Sequence, residues 1–151
     1  MNQFSAGNPI TPDIHIVSKI SEEEMQEVYN WVDEIPLSRP KKNIARDFSD
    51  CGKYIINFFQ VTFKCIILVL IAEVLKHYLP QLVELHNYSN AHSIQQKSYN
   101  WNTLNQKVLK KINLQLSVKD IKDAVEMVPE TIERVLFTLR YKIDQYVQRK
   151  K

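Results

Sequence analysis

Glycine is nearly absent from this chain: Gly7 and Gly52 are the only two in 151 residues. Tight hairpins, phosphate-cradling loops and β-rich folds lean on glycine's access to positive φ, so its scarcity points to helices. The glycine-rich phosphate loops of nucleotide-binding proteins are excluded on the same ground. A chain of this length is read as one domain with a sizeable core. Its 44% hydrophobic and 25% charged residues are ordinary for a globular protein.

Helix start and stop signals recur along the sequence. Ser21-Glu22-Glu23-Glu24 reads as a capping box, with Ile20 and Met25 placed to staple it. Met25, Val28, Tyr29 and Val32 then follow helical spacing up to Pro36. Residues 69–79, VLIAEVLKHYL, are apolar apart from Glu73, Lys76 and His77, and predict a buried central helix ending before Pro80. Ser93 and Gln96 suggest another capping box, followed by the stripe Trp101, Leu104, Val108 and Ile112. Ser117 and Asp120 cap a short helix stapled by Leu116 and Ile121. Pro129 is expected in the first turn of a last helix with the stripe Ile132, Val135, Leu136, Leu139, Ile143 and Tyr146. The expected fold is therefore all-α, one helical domain of about four main helices plus short ones. Its core is read as Trp31, Phe48, Leu70, Val74, Trp101, Leu104, Leu136 and Leu139. Residues 1–18, polar and carrying Pro9 and Pro12, read as a flexible tail; residues 19–148 as the domain; and Arg149-Lys150-Lys151 as a basic tip.

No catalytic constellation emerges. His15, His77, His86 and His92 show no metal-ligand spacing, and no serine sits in a nucleophile elbow. Neither a metal nor a cofactor is expected, and the chain is not read as an enzyme. Cys51 and Cys65 lack C-x-x-C spacing and read as reduced intracellular thiols. Residues 1–20 have neither the basic nor the apolar region of a signal peptide. Aromatic residues do not interleave with basic ones, so no nucleic-acid partner is expected.

Charge is unevenly placed. Residues 1–35 carry −6 and the remainder +9, for a net charge of +3. A basic body suits an anionic partner. The stretch Trp31–Asp50, WVDEIPLSRPKKNIARDFSD, turns through Pro36 and Pro40 and presents Arg39, Lys41, Lys42 and Arg46. The two prolines preorganise this cationic corner and lower the entropic cost of binding. Lys107, Lys110 and Lys111 form a second basic group at the end of a predicted helix.

The segments Trp31–Asn43, Arg46–Asp50, Leu70–Val74, His86–Tyr88, Ser93–Lys97, Asn100-Trp101 and Leu104–Lys111 together resemble the calponin-homology domain of the sperm flagellar protein 1 family. The resemblance covers about residues 22–143. It implies a non-enzymatic cytoskeletal module that binds and bundles microtubules in the axoneme of cilia or flagella, including the central pair. Tubulin is the implied partner, with other axonemal proteins beside it. Arg39, Lys41, Lys42 and Arg46 match the family's basic loop, and Lys107, Lys110 and Lys111 are placed with them as microtubule contacts. The alternative is a structural or signalling scaffold that binds another protein, or actin, as other calponin-homology domains do; actin is the less favoured. The family's coiled-coil segment lies beyond the residues of this sequence, so the oligomeric state is left open.

One stretch departs from the family pattern. Residues 52–68, GKYIINFFQVTFKCIIL, interrupt a direct run from Asp-Phe-Ser-Asp into a Val-Leu-x-Ala-Glu-Val helix. Its apolarity raises a membrane span over 54–75, but Lys64 alone opposes one by about 2.5–3.5 kcal/mol. As protein it would extend the central helix or form an apolar loop. Gly52-Lys53-Tyr54 can be encoded as a splice donor and Ile67-Leu68-Val69 as an acceptor, so the stretch also reads as a retained in-frame intron. Sequencing of mature transcripts checks this: a shorter message joining Cys51 to Val69 is expected, and the long message alone would refute it.

Overall fold

The computed structural model describes residues 13–36, 57–88 and 93–151, with the side chains of the second helix described from Leu68 onward. Among these residues the secondary structure is helical: α1 (Glu22–Asp33), α2 (Asn57–Tyr78), α3 (Ile94–Lys107), α4 (Val118–Val125) and α5 (Thr131–Lys150), with 3-10 turns at Leu85–Asn87 and Leu109–Ile112. Phe48 of the expected core lies outside the described residues.

The capping residues act largely as their sequence predicts. Ser21 Oγ accepts from the Glu24 N–H at 3.1 Å, and Glu24 Oε1 accepts from the Ser21 N–H at 2.9 Å. Ser117 and Asp120 form the same reciprocal pair at 3.0 Å each. Each box satisfies donors that a helix N-terminus would otherwise leave unpaired. At Ser93 only half of the box forms. Ser93 Oγ accepts from the Gln96 N–H, but the Gln96 amide donates to Asn100 Oδ1 at 3.1 Å, where a buried side chain needs a partner. Pro129 is not in the first turn of α5. It sits one residue before the N-cap Glu130, in a turn that uses left-handed backbone at Met127 and Glu130 and donates the Thr131 N–H to the Val128 carbonyl.

The helices close around α5. Its stripe Ile132, Val135, Leu136, Leu139 and Ile143 is buried, and α1, α4 and the second 3-10 turn all pack on it. Trp31, Val74, Trp101 and Leu104 join the same core from the other helices, and Leu70 is buried outside that cluster. Helix α2 runs through the 57–68 stretch without a break, so this part of the interruption is a helical extension of the central element. No helix among the described residues is long and apolar enough to cross a membrane.

Residues 13–18 correct the expectation of a loose tail reaching to residue 18. Ile16, Val17 and Ile20 are buried, and the segment lies along α5 as a strap. The Val17 N–H donates to Thr138 Oγ1 at 3.0 Å, Arg134 donates to the Val17 carbonyl at 3.3 Å, and the Gln115 N–H donates to the Ile14 carbonyl at 2.7 Å. Lys142, with no exposed surface, donates from Nζ to the Asp13 carbonyl at 2.5 Å. The partners all come from distant parts of the chain, so no local pattern at residues 13–18 announces them.

Burial holds the Lys142 ammonium below the ordinary lysine value of 10.5; the Asp13 carboxylate pulls it back up and Arg149 pushes it further down. A lowered folded-state value means that the unfolded chain binds more protons as pH rises towards 10.5, so stability grows over that window. From neutral pH to about 10, the melting temperature of the native chain is expected to rise relative to that of Lys142→Met. A difference that stays constant with pH would contradict this account of Lys142.

Candidate functional site

The cationic corner lies outside the described residues, and so do its side chains Arg39, Lys41, Lys42 and Arg46. Its N-terminal root is described. At the end of α1, Trp31 Nε1 donates to Tyr78 Oη at 2.9 Å. The two rings stack at 5.8 Å with 22° between their planes. The Arg140 guanidinium lies 5.8 Å from the Trp31 ring centroid, within cation–π range. His77 meets Tyr78 edge-on at 4.7 Å. Ile35, four residues on, is buried. The last turn of α1 is thus tied to the C-terminal end of α2 and to α5, so the chain enters the corner from a fixed point.

The second basic group is fully described. Lys107 ends α3, and Lys110 and Lys111 sit in the 3-10 turn that follows; all three are exposed. Between them Val108, Leu109 and Ile112 are buried to within 1% of full exclusion from solvent. The alternation is mechanical: the apolar residues anchor the turn in the core, and the lysines at relative positions 0, 3 and 4 are left on the outer side. Asn113 closes the turn in left-handed backbone at φ 64°. Its N–H donates to the Lys110 carbonyl and the Leu114 N–H to the Leu109 carbonyl, the paired bonds of a Schellman cap. Behind the turn, the buried Asn105 amide donates to the Leu116 carbonyl at 3.0 Å and accepts from its N–H at 2.9 Å. The lysine turn is therefore a rigid element pinned from both sides.

None of the three lysines forms an ion pair among the described residues. The sequence offers a reason that a count by large segments obscures. Between Glu84 and Asp120 there is no acidic residue, while Lys97, Lys107, Lys110, Lys111 and Lys119 all fall in the interval. Counting charge in shorter windows would have exposed this. Among the described residues no group of histidine, cysteine, aspartate and glutamate is placed to hold a metal ion.

Comparison with known proteins gives the domain its relatives. A family described as "CH-like domain in sperm protein" matches residues 68–141. The chain carries a CH-like domain and is similar, over most of its length, to part of sperm flagellar protein 1. It is 40% identical to sperm flagellar protein 1 of Homo sapiens over 136 residues, 90% of this chain and 50% of that protein. It is 47% identical to the Xenopus laevis protein over 127 residues, 84% and 48% of the two chains. The Bos taurus protein is 40% identical over 136 residues, with 90% and 50% covered. The chain thus spans about half the length of the curated relatives it matches. The all-α architecture agrees with a CH-like domain. This is a structural domain family rather than a family of enzymes. The family match opens at Leu68, the last residue of the 52–68 stretch.

Proposed function

We propose that this chain is a non-enzymatic microtubule-binding module that works in the axoneme of cilia or flagella. Its relatives are sperm flagellar proteins, and its CH-like domain suits a cytoskeletal role. The observation that carries the reading is the rigid, outward-facing turn of Lys107, Lys110 and Lys111, held without ion-pair partners among the described residues. Arg39, Lys41, Lys42 and Arg46 are assigned to the same contact from the resemblance of the corner to the family's basic loop. Acidic surface on tubulin is the complement of both groups, and other axonemal proteins with acidic faces are secondary partners.

Each exposed ion pair is worth about 1 kcal/mol or less and is screened beyond roughly 8 Å at physiological salt. Affinity for a lattice therefore depends on several such contacts acting together, and it falls as salt rises.

Co-sedimentation with taxol-stabilised microtubules, and in parallel with filamentous actin, tests the proposal across a salt series. Salt-sensitive pelleting with microtubules and little with actin is expected. The combined variant Lys107→Glu, Lys110→Glu, Lys111→Glu is expected to weaken it by about tenfold or more. A folded chain that does not pellet with microtubules at low salt, or a variant that pellets as the native chain does, would overturn the lattice reading.

A further inference from the structure

We propose that the outer face of α3 and the lysine turn together form a docking surface for an extended, glutamate-rich peptide segment of a partner protein. This shares three lysines with the lattice-binding reading and adds the chemistry they recognise.

The surface begins at Tyr99 of α3, which is 65% exposed. Tyr99, Thr103 and Lys107 follow at intervals of four residues and so lie on one stripe. The stripe runs on into Lys110 and Lys111. Gln95, Asn102 and Gln106 flank it, all exposed and all neutral. Their amides suit the backbone groups of an extended peptide, while the lysines suit its carboxylates. Thr103 Oγ1 donates to the Tyr99 carbonyl and Asn102 Nδ2 to the Ser98 carbonyl, which folds these side chains back against the helix and keeps the face low.

Electrostatics restrict the ligand. From residue 85 to residue 119 no carboxylate is present to repel an acidic peptide. The acids that bound this interval along the chain are Glu84, which lies 3.5 Å from His86, and Asp120, which accepts from the Ser117 N–H. The length from Tyr99 to Lys111 is about 18 Å at the rise of a helix, the span of about five residues of extended peptide. A single-stranded nucleic acid fits less well. Its bases stack on successive aromatic side chains, whereas Tyr99 is the one exposed aromatic of α3 and the lysines gather at one end of the stripe.

Fluorescence anisotropy on the full chain tests this with labelled hexaglutamate, and with hexaglutamine and a uridine decamer as the other arms. Hexaglutamate is expected to bind in a salt-sensitive way and hexaglutamine not to bind. The triple lysine reversal at 107, 110 and 111 is expected to weaken hexaglutamate by about tenfold or more, and Tyr99→Ala by about threefold to tenfold. Lys19→Glu with Lys151→Glu, exposed lysines outside this surface, is expected to leave it within about twofold. All these residues are exposed, and circular-dichroism melting confirms that each variant is folded. Equal binding of hexaglutamate and hexaglutamine, tighter binding of the RNA, or a loss at Lys19 and Lys151 as large as that at the lysine turn would overturn the proposal. Microtubule pelleting without hexaglutamate binding would overturn it and leave the lattice reading standing. Hexaglutamate binding without pelleting would support it and remove the lattice reading.

Discussion

From Thr131 to Ile143 the last helix withdraws ten side chains from water, and the strap, α1, α4 and the lysine turn all close over that helix. Burial of each large aliphatic group there stabilises the fold by about 1.5–3 kcal/mol, so the apolar stripe supplies the driving force. It does not by itself say where the neighbours must sit. That is set by the polar groups among the ten. Glu133 accepts from Tyr29 of α1 at 2.7 Å, and Thr138 and Lys142 each take one backbone group of the strap. Each would be costly to bury unpaired. Sliding the strap or α1 along α5 would break these pairs, so the polar groups fix a register that oil-like burial leaves free.

The same division of labour produces the site. Val108, Leu109 and Ile112 are drawn into the core that α5 organises, and the lysines between them are turned outward as a consequence. The Asn113 cap and the Asn105 bridge to Leu116 then remove the freedom that a lysine-rich loop would otherwise have. At the end of α1 the Trp31–Tyr78–Arg140 stack fixes the root of the cationic corner. Individually weak charge contacts gain most from rigid presentation, because little ordering entropy is lost when they engage.

Features that depend on a few adjacent residues were legible in the sequence. The boxes at Ser21 and Ser117, the stripe of α5 and the end of α2 before Pro80 are of this kind, because capping and amphipathic spacing are local rules. The half-formed box at Ser93 fails where a buried Asn100 competes for the Gln96 amide. Pro129 falls before α5 and outside its first turn because two left-handed residues, Met127 and Glu130, shape the turn, and neither is a glycine that would mark it in the sequence. The strap was illegible for a different reason: Asp13, Ile14 and Val17 are held by Lys142, Gln115, Thr138 and Arg134, more than 100 residues away along the chain in every case. Of the candidate site, the lysines were visible as charges. Their rigidity, and the acid-free interval around them, become meaningful only once the turn is seen to be anchored.

An electron cryomicroscopy reconstruction of this chain bound to microtubules tests most directly the proposed contact between the fixed basic turn and an acidic lattice. If the proposal holds, the nitrogens of Lys107, Lys110 and Lys111 lie within about 4 Å of tubulin carboxylates. A reconstruction in which the turn points to solvent, with α1 or the N-terminal strap against the lattice instead, would contradict it.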